Sequence, residues 1–466
     1  MGVRGKSQGP GSSRSSLHLQ SQSSTSSAAP SVAAPTLITG SEGSHLAQLF
    51  NTVSGQHIDS AGYQAHLESV GPVRGELSVY VHLPFCASRC LSCDHVTNVT
   101  HDPREIDHYL DDVELELERF STHLAGHNRL AQLHLGGGTP NYLSERQLLR
   151  LINLLETYFT IDAKTDALME MSAKRTSWSQ LQMLKGLGFN DIKLQVRDLD
   201  PAVQKAVGRS DSADVMEDVF QTARDVGIET VCMDLVYGLP QQTLQSISDT
   251  VDSVLALAPD RLSCYGYQRK TSEFLHQRAI DLPSVPSLAD QLIMFNAVVE
   301  RLESEGYVWI GLDTFVREDD PLATAQAEGR LYHNWMGYNA HGTATLLGFG
   351  ASAISEVAGA CVQNLCALDD YTAALDAGEL PVRSGVLLDE QGQRRRASLN
   401  ALLCNLELED VSDVMPESGT AQLESLAKQG LLRLEGSKAY VTPQGRYLLH
   451  HICGHNETDK RWASGW

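Results

Sequence analysis

No run of apolar residues in this chain approaches the roughly 20 that a membrane-crossing helix needs. Cations are also scarce, with 36 Lys and Arg against 58 Asp and Glu and a formal net charge of −22. The first absence leads us to expect a soluble protein with no membrane span. The second opposes loose binding to nucleic acid or to an anionic membrane face, so an anionic substrate must meet a locally basic pocket. A disulfide framework is missing too. Of nine cysteines, three cluster as Cys86, Cys90 and Cys93, and Cys232, Cys264, Cys361, Cys366, Cys404 and Cys453 are scattered. That usage suits a reducing, cytoplasmic setting. The first forty residues lack any acid and are rich in Ser, Ala, Gly and Pro. They read as a disordered low-complexity tail, with an organelle transit peptide as the other candidate of this composition.

What is present is a large α/β pattern. At 466 residues the chain exceeds the size at which one core usually stops growing, so a large domain plus a smaller one is expected. After a helical arm over 41–75, strand-like runs at 78–83, 131–135, 167–171, 191–196, 230–236 and 261–267 alternate with segments of helical period, among them 145–159 and 213–227. The second of these helices follows Ser210 and Asp211 as candidate caps. Six βα units in succession predict a parallel sheet, curved or closed as in a barrel, whose strands end at one edge where active sites gather. An extension carries the chain to 365. Residues 366–466 read as a smaller helical domain with a two-stranded wing, "LLRLEGSKAYVTPQG", turning at Gly436 and Ser437.

The chemistry concentrates where the first strand ends. "YVHLPFCASRCLSCDH" sets Cys86, Cys90 and Cys93 at C-x3-C-x2-C spacing. Three thiolates on one compact loop can hold three corners of an iron–sulfur cubane and leave the fourth iron open to a small molecule. The competing reading is a zinc site made by the same cysteines and His95. At the end of the second strand, "HLGGGTPNYL" strings together Gly136, Gly137 and Gly138. Glycines let the backbone approach a ligand closely, although such a triplet also serves as an ordinary tight turn. Glu170, inside an otherwise apolar strand, is either ion-paired or functional, since a buried acid needs partners.

With "DLVYGLPQQT", "APDRLSCYGY", "GLDTFVREDDPLATAQAEGRLYHNWMGY", "LLGFGASAIS" and "ALLCNLELE", these motifs resemble the oxygen-independent coproporphyrinogen III dehydrogenase (oxidase) family of the radical S-adenosylmethionine superfamily, collinearly from about Leu77 to Cys453. The resemblance implies a partial (β/α)6 barrel with a C-terminal winged-helix-like domain. It implies a [4Fe–4S] cluster on Cys86, Cys90 and Cys93 and S-adenosylmethionine on the open iron, reduced by a donor such as a flavodoxin or ferredoxin. It places Tyr80, Gly137, Gly138, Thr139, Glu170, Arg209, Asp234, Gln268 and Ile354 at cofactor-binding positions, and Tyr80 and Arg197 near the chemistry. The implied reaction is oxidative decarboxylation of propionates on coproporphyrinogen III by a monomeric enzyme, with Arg197, Arg209 and Lys193 as basic candidates for those carboxylates. Arg197 has the alternative of pairing with a pocket acid. A diverged relative, acting as a haem or tetrapyrrole chaperone or as a radical enzyme on another tetrapyrrole, is the second implied reading. The chain departs from the family at Ser92, His95, Arg197, Gln268 and Thr314, and the family's Arg-Tyr-Thr-Ser-Tyr-Pro arm signature has no counterpart in residues 41–76.

Overall fold

Six segments of this chain pair side by side in chain order: β1 (Leu77–Leu83), β2 (Asn128–Gly137), β3 (Asp166–Met171), β4 (Asp191–Arg197), β5 (Thr230–Tyr237) and β6 (Arg261–Gly266). Every pairing among them is parallel. The computed structural model describes residues 55–342, 345–411 and 420–449; the tail expected over 1–40 and Cys453 lie outside the described residues. No helix among the described residues is long and apolar enough to cross a membrane.

The strands are apolar where both sheet faces are covered, as parallel sheets require. In β1, for example, Leu77, Val79, Val81 and Leu83 have no exposed surface. Amphipathic helices connect them. Glu145–Tyr158 begins with a capping box between Ser144 and Gln147 and buries Leu148, Leu151, Ile152 and Leu155, the spacing of one helical face. The helix Ala213–Val226 is capped by Ser212, whose side chain accepts from the Val215 amide, and not by Ser210 or Asp211. Both of those are engaged elsewhere: Ser210 Oγ accepts from Lys174 Nζ at 2.6 Å and Asp211 lies 2.7 Å from Arg209.

Beyond β1, the strand Leu346–Phe349 adds a seventh parallel member. Ile354–Val357, Ala360–Asn364, Val382–Leu388 and Gly55–Ile58 then extend that edge antiparallel. Beyond β6, Thr314–Arg317 and Tyr307–Gly311 do the same. The two outermost strands do not pair with each other among the described residues, so the barrel is partial. The domain boundary expected at 365/366 therefore falls within the sheet's edge, because Val382–Leu388 is a strand of that sheet. The segment expected as a helical arm contains the strand Gly55–Ile58 as well as the helix Ser60–Val70. The smaller module starts with the helix Glu390–Asn405 and carries a three-stranded sheet of Glu407–Leu408, Leu432–Glu435 and Lys438–Val441. Gly436 opens its turn at φ +65°, and Arg446 stacks 4.4 Å over the Trp309 ring.

The cap assignment is testable. Ser212→Ala should cost about 1 kcal/mol in chemical denaturation, whereas Ser210→Ala should leave the helix's contribution unchanged; equal effects would contradict it.

Candidate active site

Alternation along β1 sends Tyr80 and His82 to the same face. The His82 ring lies 2.9 Å from the Val96 carbonyl through Nε2 and 3.0 Å from the Tyr80 hydroxyl through Nδ1. A carbonyl can only accept, so Nε2 carries the proton and Nδ1 accepts from Tyr80. Burial pulls the His82 pKa down to about 4, only partly opposed by its bond to Val96, and the ring is neutral. Across the sheet His134 is the register partner of Tyr80, their rings edge-on at 5.4 Å.

His134 Nε2 lies 3.1 Å from Glu170 Oε1, and Gln195 donates to the other carboxylate oxygen at 3.4 Å. Burial works to raise the Glu170 pKa, but the His134 bond and charge, followed by Lys193 and His95, outweigh it and bring it down to about 2. On β4, Lys193 lies 3.1 Å from Asp234 of β5; burial opposes its charge, and Asp234 together with Cys232, Glu170 and Tyr265 more than compensates. Tyr80, His82, His134, Glu170 and Lys193 line one cavity of about 230 Å³, whose walls also include Lys270, Trp335, Met336, Ser352 and Ile354.

The cysteine loop leaves β1 beside this cavity, bonded to the glycine loop that leaves β2. Gly138 N donates to Leu83 O at 2.9 Å and Thr139 N to Phe85 O at 3.0 Å, and Thr139 Oγ1 is 3.3 Å from Cys86 Sγ. The approach is so close that a Cβ on Gly138 would stand 2.7 Å from the Pro84 carbonyl and 2.8 Å from that of Phe85. Two further turns hold the loop from outside: Leu91 N donates to Val207 O at 2.9 Å, and His276 and Gln277 reach the Cys93 carbonyl at 2.8 and 3.0 Å. Cys86, Cys90 and Cys93 are free thiols. Among the described residues no three His, Cys, Asp or Glu side chains converge as ligands of a single ion do, and the His95 ring lies 3.1 Å from Asp94. Three thiols on one loop are a donor set that suits a cubane with one open iron, and the His95 ring is engaged by Asp94 and by the Cys93 thiol.

Of the residues singled out in the sequence, Tyr80, Gly137, Glu170 and Ile354 line the cavity. Gly138 and Thr139 face the cysteine loop instead. Asp234 stands behind Lys193. Arg209 is committed to Asp211 and to the Gln195 carbonyl at 2.7 Å, with Cys90 Sγ 3.9 Å away. Arg197 sits at a bulge ending β4, at φ +64°, its guanidinium 5.8 Å from the Tyr265 ring centre. Gln268 is exposed and does not line the cavity: β6 ends at Gly266 and Tyr267 turns inward in its place. Sequence reasoning passed over His82 and His134. The signal was available, since both are polar residues at inward positions of otherwise apolar strands, and His82 alternates with Tyr80.

Residues 80–254 match the Radical SAM superfamily. The oxygen-independent coproporphyrinogen III oxidase of Pseudomonas aeruginosa is 38% identical over 389 residues, 81% of this chain and 84% of that protein. The Escherichia coli protein of the same name is 35% identical over 404 residues, 84% of this chain and 88% of the relative. A solved structure of Escherichia coli coproporphyrinogen III oxidase, described as a radical SAM enzyme, superimposes with a TM-score of 0.79 at 33% identity, covering 88% of this chain and 97% of that one.

Anaerobic reconstitution should incorporate about four irons per chain, and Cys86→Ala, Cys90→Ala or Cys93→Ala should each abolish this; zinc uptake without iron–sulfur absorption would contradict the assignment. Gly138→Val should lower iron retention along with cofactor binding, because its side chain would displace the cysteine loop. A Gly138→Val protein with full iron content would show that the two loops are not coupled.

Proposed function

This chain belongs to the oxygen-independent coproporphyrinogen III oxidase family of the radical SAM superfamily, and on that premise we propose that it oxidatively decarboxylates two propionates of coproporphyrinogen III to vinyl groups. The product is protoporphyrinogen IX, in haem biosynthesis. The observation that carries the reading is the three-thiol loop bonded to the glycine loop beside a cavity walled by Tyr80, His82, His134 and Glu170. Cys86, Cys90 and Cys93 would hold the [4Fe–4S] cluster. When bound, cluster and S-adenosylmethionine supply the hydrogen-abstracting radical chemistry.

The chain's own residues bind, orient and exclude water. Glu170, kept ionised, is suited to the polar hydrogens of the cofactor, and Tyr80, its hydroxyl engaged by His82, offers a fixed aromatic wall. Among the three cations suggested for substrate carboxylates, Lys193 and Arg209 each have a carboxylate partner. Arg197 has neither a hydrogen-bonded nor an ion-paired carboxylate among the described residues; it lies over Tyr265, and the charges of Cys93, Asp94 and Asp234 act on it from further off. A non-glycine residue in the left-handed region is strained, and such strain persists where the surroundings impose it. A planar guanidinium whose N–H donors are not committed to a carboxylate matches one by bidentate bonding. We assign Arg197 to a substrate propionate.

A flavodoxin- or ferredoxin-type donor in the cytoplasm fits a chain whose eight described cysteines are all free thiols. The second reading, a haem- or tetrapyrrole-binding relative with another outcome, draws on Arg197 and the exposed Gln268 standing where the family has other residues.

Product analysis of the reduced, reconstituted protein with S-adenosylmethionine and coproporphyrinogen III decides between them: vinyl products support the first reading, and cofactor cleavage without decarboxylation supports the second. Arg197→Gln should raise KM for the tetrapyrrole by about tenfold, the worth of one charged hydrogen bond, and spare cofactor cleavage. Loss of cofactor cleavage first would move Arg197 to the cofactor.

A further inference from the structure

A second buried carboxylate stands behind the cavity rather than in it. Glu116 lies on the helix Pro103–Ser121 among the buried Val113, Leu117 and Phe120 and is itself 4% exposed. A carboxylate there is costly unless hydrogen-bond donors replace its water. Three do so: Gly350 N at 2.7 Å, Tyr371 Oη at 2.6 Å and Asn364 Nδ2 at 2.6 Å. Despite these donors, burial raises the Glu116 pKa to about 7. The void beside it measures about 10 Å³, the limit for a single water, so no substrate reaches it.

What Glu116 and its partners grip is one stretch of backbone, Gly350 to Ala353. Asn364 Nδ2 also donates to Gly350 O at 2.9 Å, and its backbone amide donates to Ala353 O at 2.9 Å. Two turns earlier on the helix, Tyr109 accepts from Ala351 N at 2.9 Å and donates to the His82 carbonyl at 2.7 Å, which ties the same stretch to β1. Ser352 N donates to Leu365 O at 2.8 Å while Ser352 sits at φ +64°, a conformation that lasts only where neighbours over-determine it. The stretch leads directly into the cavity wall formed by Ser352 and Ile354.

We propose that Glu116 is a positioning residue, a carboxylate out of reach of the cavity that fixes the Gly350–Ile354 wall against which the cofactor is held. The cofactor half of this statement rests on the reading under Proposed function. The donor pattern makes the side chain specific. Glutamine has the shape of glutamate but turns one acceptor into a donor, which must then oppose the Gly350 or Asn364 N–H; aspartate is one methylene too short to span the same gap.

The test compares the full-length reconstituted protein with its Glu116→Gln and Tyr371→Phe variants, the latter removing one donor and keeping the core packed should the former fold poorly. Hydrogen exchange without added S-adenosylmethionine reads the wall directly, and KM for S-adenosylmethionine with iron content reads its consequence. Exchange at Gly350–Ala353 should accelerate by about tenfold or more in Glu116→Gln and by less in Tyr371→Phe, with KM for S-adenosylmethionine raised, kcat less affected and iron content unchanged. Unchanged exchange across this stretch in both variants overturns the proposal. Faster exchange with an unchanged KM leaves Glu116 as the lock on this stretch and overturns the assignment of the wall to the cofactor.

Discussion

The backbone contact between the cysteine loop and the glycine loop is the constraint on which the rest of the site depends. It exists because β1 and β2 are adjacent and parallel, with Leu83 opposite Gly137, so both chains leave the sheet at one height. Two hydrogen bonds donated by the Gly138 and Thr139 amides, and the Thr139 hydroxyl, then join the loops, and the missing side chain at Gly138 lets them meet. The thiols therefore take their position from the register of the sheet. Cavity, cysteines and the neutral His82 are parts of one object, and a shift in any of them must be shared by the others.

The interior of the barrel is a ladder of polar groups in a chain that is acidic overall. Tyr80, His134, Glu170, Lys193 and Asp234 occupy inward positions on five successive strands, and their pairings run from strand to strand: Tyr80 beside His134, His134 to Glu170, Lys193 to Asp234. Each buried charge has a partner, which keeps it tolerable at low dielectric. Arg197, at the bulge that ends β4, has no hydrogen-bonded or ion-paired carboxylate among the described residues, only the more distant charges of Asp94 and Asp234, and it is also where the backbone is forced into the left-handed region.

Much of this was legible in the sequence. The six strands and the helices 145–158 and 213–226 follow from local periodicity, and the three-cysteine spacing and the glycine triplet mark the edge at which the site lies. What was not legible is non-local. Leu346–Phe349 pairs with β1, far earlier in the chain, and draws Val382–Leu388 into the same sheet, so a boundary drawn from composition at 365/366 cut through the sheet's edge. Gln268, placed at the cofactor by the resemblance, is exposed because β6 ends two residues before it. Glu116 was invisible because a glutamate among helical leucines reads as a solvated face, and its three donors come from residues 350, 364 and 371.

The central claim is that three protein thiols hold a cluster whose remaining iron is open to S-adenosylmethionine. Electron paramagnetic resonance of the anaerobically reconstituted, reduced protein tests it most directly, with and without that molecule. The account predicts the signal of one reduced [4Fe–4S] cluster that changes on addition of S-adenosylmethionine. A cluster signal indifferent to the addition, or no cluster signal at all, would contradict it.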